Sequence, residues 1–397
     1  MRCIMSYNYL LITGIIRSGT TLISRAIDAH PQIAIAPDPY FGYFREFRNE
    51  IYKDFFPDFD EEQPLSDHFF DDFFHAKQQL LKSSINRKLI NQNLKKVIEN
   101  TAKFTEQNAP LLIPYLLRLN GDSYKDLFTQ LMEIVNKVYG DKDTKVVGFK
   151  RPWVEEFVMP LLRTFPNMKI IYIIRDPRAV IASQKRASNI QHNYPLLFMI
   201  RNWRKSFAYA LYNLYYNNDR FYFLRYEDLI TDPKSVLKDI SRFLDIKFNP
   251  KMIDVSSYRD SEGKSWTNNS SYEKTNNITT KFKSKWEEIL NNEEVQCIED
   301  LCFIEMTKLN YSRKTQTDIH RSLFLKNAFS EELNTSWIKE YGKKYLLSEE
   351  NINKELLRYY IYHDVDRVKI DNVFLEQAFI VPEFFHLIKN ISFNSFK

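Results

Sequence analysis

The stretch that most constrains this chain runs from Tyr9 to Pro31: Tyr-Leu-Leu-Ile-Thr-Gly-Ile-Ile-Arg-Ser-Gly-Thr-Thr-Leu-Ile-Ser-Arg-Ala-Ile-Asp-Ala-His-Pro. Its opening apolar run, Tyr9 to Ile12, suits a buried parallel strand. Leu22, Ile23, Ala26 and Ile27 then recur at helical spacing until Pro31 stops the pattern. Between the two lies a loop holding Gly14 and Gly19. A strand, a glycine loop and a helix in this order make an anion site, because the loop and first helical turn present unpaired N–H groups at the positive end of the helix dipole. The spacing Gly14-x4-Gly19-Thr20-Thr21 is that of a nucleotide-triphosphate phosphate loop with one departure. Thr20 stands where such a loop carries lysine, and the cation of this loop is Arg17. The loop is therefore expected to cradle phosphate-like oxygens without the lysine that a kinase or ATPase places on the β/γ-phosphates. The plainer alternative is a βα unit whose glycines only ease a turn. With eight glycines in 397 residues, two in this one loop argue against it.

A chain of this length can bury a large core. Aromatic content is high at 15% and glycine is scarce, which favours a rigid, aromatic-packed globule. The net charge of +5 suits an anionic cofactor or substrate and is too weak to point to nucleic acid. Cys3, Cys297 and Cys302 have neither zinc-type spacing nor the look of a disulfide framework, so no metal is expected and a reducing compartment is. No apolar run reaches the length of a transmembrane segment, and residues 8–16 lack a signal-peptide cleavage site. The expectation is a cytoplasmic, soluble protein.

Along the chain, residues 32–36 read as a second short strand, followed by Pro37-Asp38-Pro39. A carboxylate held between prolines at a strand end lies where ligands sit in an open parallel sheet, although a turn or N-cap role for Asp38 remains open at this point. Residues 41–140 are aromatic and helix-rich, and are expected to form a helical insertion covering one side of the sheet. Within it, Asp122-Ser123 should cap an amphipathic helix ending at Gly140. The α/β rhythm returns with Lys145 to Lys150, a strand ending in lysine, and a helix through Leu162. Lys169 to Arg175 gives the clearest buried strand, with Asp176 as N-cap and Pro177 at the first helical position. Arg175 at the strand end and Ser183 in the next helix suggest a second oxyanion site. Residues 195–216 read as a long helix with Trp203 in the core, and Arg220 to Leu229 as a further strand. Residues 257–281 read as a lid-type loop, because Gly263-Lys264-Ser265 lacks the preceding strand that a phosphate loop needs. Lys285-Trp286 opens a helical stretch to about Leu309, and residues 313–397 carry aromatic helices without a motif.

Two anion sites, one per strand–helix junction, suit a nucleotide phosphorylated at both ends. The combination resembles the sulfotransferase family, which uses 3′-phosphoadenosine 5′-phosphosulfate. Arg17-Ser18-Gly19-Thr20-Thr21-Leu22 matches that family's 5′-phosphosulfate loop, and Arg175 with Ser183 its 3′-phosphate motif. Tyr226 to Leu229 matches a segment whose tyrosine approaches the adenine. Ser284-Lys285-Trp286 recurs as well, preceded by a loop that closes over the cofactor. The first stretch, with Asp28 to Pro31, looks most like the tyrosylprotein and bacterial carbohydrate-type branch. The resemblance covers roughly residues 9–40 and 145–311.

It implies an α/β, P-loop-like three-layer fold: a central, mostly parallel sheet, the helical insertion at 41–140 within a domain spanning 1–312, and a helical C-terminal extension over 313–397. It also implies a cofactor site at Arg17, Ser18, Gly19, Thr20, Thr21, Arg175, Ser183, Tyr226, Ser270, Ser271 and Lys285. Asp38 falls at the position of the branch's catalytic glutamate and Lys150 at that of its transition-state lysine, so Asp38, Lys150 and Arg17 are the expected catalytic groups. The implied reaction moves the sulfuryl group to an acceptor hydroxyl, with a carbohydrate favoured by the branch. A P-loop kinase or NTPase would need lysine at position 20 and a metal-binding carboxylate. A non-catalytic nucleotide-binding protein of the same fold would keep the loops and lose the base.

Overall fold

The computed structural model describes residues 7–62, 65, 73–89, 91–187, 194, 196–266, 275–315 and 383–390. Ser270 and Ser271 lie outside the described residues, as does most of the expected C-terminal extension. Among the described residues, five strands form the centre: β1 (Asn8–Thr13), β2 (Ile33–Pro37), β3 (Val146–Lys150), β4 (Met168–Ile174) and β5 (Phe221–Arg225). They pair in the order β2-β3-β1-β4-β5, and every pairing is parallel. All β1 side chains from Leu10 onward are buried, as a sheet covered on both faces requires.

By contact density the chain divides into two compact units. The first comprises Met1–Leu65, His75–Ile174 and Asn213–Thr280 and holds the whole sheet. One sheet face carries Leu10, Ile12, Ile171, Ile173 and Leu224 against Ile23 and Ile27 of α1 (Thr20–Asp28), with Leu229, Leu237 and Ile240 beyond β5. The other face is aromatic. Tyr9 meets Phe128 and Phe165 edge-on at 6.1 and 5.4 Å, and Phe128 also packs on Phe149. Each such pair adds about 0.5–1.5 kcal/mol beyond its buried area.

Phe128 belongs to the segment between β2 and β3, whose α-helices are α2 (Phe41–Lys53), α3 (Phe74–Lys82), α4 (Asn91–Glu106), α5 (Ile113–Leu116) and α6 (Tyr124–Tyr139). The expected cap is present, since Ser123 Oγ accepts the N–H of Asp126. After β3 comes α7 (Val158–Thr164).

The second unit comprises Ser66–Phe74, Arg175–Tyr212 and Lys281–Lys397. It holds α8 (Pro177–Arg186) and most of α9 (Leu196–Tyr216), in which Trp203 is fully buried and its indole N–H donates to the Arg175 carbonyl at 2.9 Å. Back in the first unit, β5 is followed at once by α10 (Tyr226–Thr231) and then α11 (Pro233–Phe243). The expected strand to Leu229 thus ends at Arg225. Glu227 and Asp228 fall in the first turn of α10, where acidic side chains favour a helix start.

The helical stretch expected from Lys285 is broken into a short turn (Lys285–Glu288), α12 (Asn292–Leu301) and α13 (Phe303–Lys308). Asn291 and Glu294 form a reciprocal capping box that restarts the helix. A last helix, α14, spans Glu383–Asn390. No helix among the described residues is long and apolar enough to cross a membrane.

Asp28, the last residue of α1, accepts the N–H of Ile35 at 2.8 Å and so ties the helix end to β2. Burial pushes its carboxyl up to about 6, against the opposing pull of that N–H and of Arg25. The folded protein therefore keeps a proton there that the unfolded chain releases, and the contribution of Asp28 to stability falls as pH rises from about 4 through 6. Asp28→Asn keeps an acceptor oxygen and has no charge to bury. Between about pH 4 and pH 7, urea midpoints should move in favour of the variant by about 1–3 kcal/mol relative to wild type. Parallel pH profiles for the two proteins would contradict this.

Candidate active site

Strand register brings three chain segments to one sheet edge. Lys150, the last residue of β3, is in register with Ile12 of β1 on one side and Pro37 of β2 on the other. The loop after β1, the Asp38 turn after β2 and the Lys150 side chain consequently share the carboxyl edge of the sheet, where open α/β sheets bind ligands.

The loop after β1 owes its shape to its glycines. Gly14 has φ +147°, and a methyl there would fall 2.2 Å from the Ile173 carbonyl oxygen on β4. Gly19 has φ +99° and caps α1 without any side-chain hydrogen bond, whereas Ser123, Asp176, Asp232 and Asn291 cap α6, α8, α11 and α12. The first N–H groups of α1 are thus left without a capping acceptor. Ser18 turns its hydroxyl inward to the Ile15 carbonyl at 2.7 Å, so it shapes the loop. Arg17 adopts φ +66° and is half-buried, and burial holds its guanidinium below the usual arginine range. The ring of Tyr226 lies against the loop, close enough that a methyl on Gly19 would sit 2.4 Å from its Cδ2.

At the opposite side of the edge, the buried Lys150 ammonium donates to the Asp38 carboxylate through Oδ2 and to the Thr21 hydroxyl at 3.3 Å. Burial lowers the Lys150 pKa, opposed by the carboxylate beside it. Asp38 Oδ1 is buried and has no hydrogen-bond partner among the described residues. Its backbone is in the left-handed region at φ +45°, with its N–H on the Lys150 carbonyl at 2.8 Å and its own carbonyl accepting from Arg151 Nη1 at 2.9 Å. Arg25 of α1 is a third cation whose charge acts on Asp38, and it is 7% exposed. Four buried polar atoms here have no partner among the described residues: Asp38 Oδ1, Thr13 Oγ1, Arg25 Nε and Arg151 Nε. Non-glycine residues at positive φ gather too, with Arg17, Asp38, Tyr40 and Trp153 following β1, β2 and β3. Orphaned groups and backbone strain of this kind cluster where a ligand completes the site.

The structure thus brings Arg17, Ser18, Gly19, Thr20, Thr21 and Tyr226 together around the first turn of α1, and joins Thr21, Lys150 and Asp38 in one hydrogen-bonded chain. Arg175 and Ser183 belong to the second unit, Arg175 directly after β4 and Ser183 within α8, and both side chains are buried. Lys285, in the same unit, pairs with Glu288 at 2.7 Å. Arg25 and Arg151 escaped the sequence reading. The one available sign was a second basic residue after the strand-end lysine, in Lys150-Arg151-Pro152. His30 lies just past the end of α1. Its Nε2 donates to the Lys247 carbonyl at 2.8 Å and its Nδ1 accepts from Gln32 N–H at 3.1 Å, which holds the ring neutral at the helix end, while burial lowers its pKa. No cluster of three or more metal-ligating side chains occurs among the described residues.

The contrast between glycines gives a direct test of the loop geometry. Gly14→Ala combines left-handed strain with a collision against a strand carbonyl, while Gly263, at φ +79°, has nothing within 4 Å of an added methyl. Gly263→Ala should cost about 1 kcal/mol. Gly14→Ala should cost at least about 3 kcal/mol or prevent folding, as read by thermal unfolding.

A sequence model described as "Sulfotransferase family" matches residues 10–250. Carbohydrate sulfotransferase 3 of Tetronarce californica is 29% identical over 115 residues, an alignment covering 24% of this chain and 26% of that protein, so the chain matches about a quarter of its length. Among solved structures, the sulfotransferase domain from the curacin biosynthetic pathway superposes with a TM-score of 0.45 at 19% identity, covering 77% of this chain and 99% of that one. The sulfotransferase domain from the Synechococcus PCC 7002 olefin synthase gives 0.43 at 19% identity, covering 74% and 94%. With residues 10–250, well over half the chain, matched by the family model, this chain belongs to the sulfotransferase family.

Proposed function

We propose that this protein transfers the sulfuryl group of 3′-phosphoadenosine 5′-phosphosulfate to an acceptor hydroxyl, and that the acceptor is a carbohydrate. One observation carries the transfer chemistry. The Asp38 carboxylate has one oxygen bound by Lys150 and the other buried without a donor among the described residues, beside a helix N-terminus that no side chain caps. Asp38 Oδ1 lacks a donor, and an acceptor hydroxyl supplies one. As the hydroxyl oxygen attacks sulfur, its proton passes to this carboxylate. A well-placed base of this kind contributes about 10² to 10⁴ in rate. The S–O bond to the leaving phosphate breaks as the new one forms, and negative charge grows on the bridging oxygen. By analogy with phosphoryl transfer, positioning and electrostatics dominate. The α1 N–H groups, Arg17 and Lys150 stabilise that charge, and losing one such donor costs about 3–4 kcal/mol.

The fit of the nucleotide to these residues rests on the loop itself. Gly19 leaves the N-terminus of α1 open to an anion, and the Tyr226 ring against it offers a stacking surface for the base. The assignment of Arg175 and Ser183 to the 3′-phosphate, and of Ser270, Ser271 and Lys285 to the same cofactor, follows the sequence resemblance. Thr20 in place of the phosphate-loop lysine disfavours an NTPase. The preference for carbohydrate follows the branch that the first loop resembles and the name of the carbohydrate sulfotransferase to which part of the chain is similar.

Radiolabelled donor offered to desulfated chondroitin, p-nitrophenol and a tyrosyl peptide tests the reading. Label should transfer to the glycan. Transfer to none, or magnesium-dependent hydrolysis of nucleoside triphosphate instead, would refute it. Lys150→Ala should lower kcat by about 10²–10³ with little change in binding of adenosine 3′,5′-bisphosphate. Arg175→Ala should weaken that binding about tenfold or more by calorimetry, and undiminished affinity would remove Arg175 from the phosphate site.

A further inference from the structure

Asp38 is held in a conformation that its own sequence disfavours. It lies between Pro37 and Pro39, and a residue preceding proline is pushed toward extended geometry. Its φ is nevertheless +45°, in the left-handed region that costs a non-glycine residue about 1–2 kcal/mol. The contacts that oppose this strain come from two consecutive residues at the end of β3. Lys150 accepts the Asp38 N–H with its carbonyl and binds Oδ2 with its ammonium. Arg151 donates from Nη1 to the Asp38 carbonyl at 2.9 Å. Arg151 is itself fixed at two points. Its backbone N–H donates to the Ile12 carbonyl at 2.9 Å, and its guanidinium lies 4.5 Å from the centre of the Phe41 ring at the start of α2. Between them, Tyr40 is also left-handed, at φ +65°, with its N–H on Thr105 Oγ1 at 3.1 Å.

From this geometry we infer that Arg151 is the positioning residue for Asp38. Its guanidinium, braced on Phe41, grips the Asp38 carbonyl and keeps the turn left-handed, so that Oδ2 meets Lys150 and Oδ1 faces the acceptor hydroxyl. The inference rests on the reading of Asp38 as the base. A carboxylate on an otherwise strained turn relaxes toward extended geometry when the grip is lost. The side chain then leaves the Lys150–Thr21 chain while the α1 loop, which Arg151's side chain does not touch in any contact above, stays as it is. Arg151 also supplies charge. It joins Lys150 and Arg25 as one of three cations acting on Asp38, and its Nε is buried without a partner among the described residues.

A kcat-against-KM split and a double-mutant cycle test this, using the radiolabelled donor and desulfated chondroitin. Arg151→Met keeps the length and the apolar contact with Phe41 but loses donor and charge. It should lower kcat about 10- to 100-fold while KM for the donor and affinity for adenosine 3′,5′-bisphosphate stay within about twofold. Arg151→Lys, which keeps a donor and the charge, should recover part of the loss. In an Asp38→Asn background Arg151→Met should cost less than about twofold, because the group it positions is gone. Full multiplication of the two losses, or a kcat within twofold of wild type for Arg151→Met, would overturn the inference and leave the base reading standing. If Arg151→Met does not fold, Arg151→Gln carries the same two comparisons. Wild-type turnover in Asp38→Asn alone would remove the base, and with it the positioning role.

Discussion

The structure of the site depends on a buried ammonium. Lys150 ends β3 between Ile12 and Pro37, and its side chain has to find partners at the sheet edge because burial disfavours its charge. It finds two, the Thr21 hydroxyl on α1 and the Asp38 carboxylate after β2. That one cation therefore links the segments following all three of the strands that meet there. The uncapped start of α1, the acid and the lysine are set in mutual geometry by a contact that no single element contains.

Burying such a pair is seldom a route to stability. The desolvation of both ions rivals their attraction, and removing one partner from a buried pair costs about 3–5 kcal/mol because the other is left uncompensated. Here the surroundings add further groups, with Thr13 Oγ1, Arg25 Nε and Arg151 Nε all buried without partners among the described residues. A purely structural edge would be stabler with apolar side chains of similar volume. Retaining cations, an acid and strained turns at one edge makes sense where an anion and a hydroxyl complete the set.

Much of this was readable from residue order. The α1 loop was legible because a short apolar run, scarce glycines and a 3.6-residue pattern coincide within one stretch. Lys150 was legible as a strand-end lysine, and Asp38 as a carboxylate just past a strand. The strand at Phe221 to Arg225 was legible too, but its end was not, because the aromatic residues carry strand propensity through Tyr226, while the acids at 227 and 228 act only once the chain has turned into α10. Asp38's left-handed backbone was illegible for a stronger reason. The flanking prolines argue for extended geometry, and the contacts that override them come from residues more than a hundred positions away.

The second unit shows the same principle with the opposite outcome. Glu299 of α12 is fully buried and accepts from Arg178 Nη1 at 2.6 Å and from the backbone N–H groups of Lys314 and Thr315 at 2.9 and 2.8 Å. Arg178 in turn pairs with Asp176, donates to the Ser312 carbonyl and lies over the Trp286 ring at 4.2 Å. These donors hold the Glu299 carboxyl below the usual range although burial alone would raise it. A buried acid saturated in this way stays ionised and has no lone pair to offer, so it serves as a tie between α8, α12 and the chain after Tyr311. Asp38 also lies beside cations but is only half-buried, and its buried Oδ1 has no donor among the described residues. The two carboxylates differ in how many of the surrounding donors the fold itself supplies, and that difference is what the proposed role of Asp38 as base rests on.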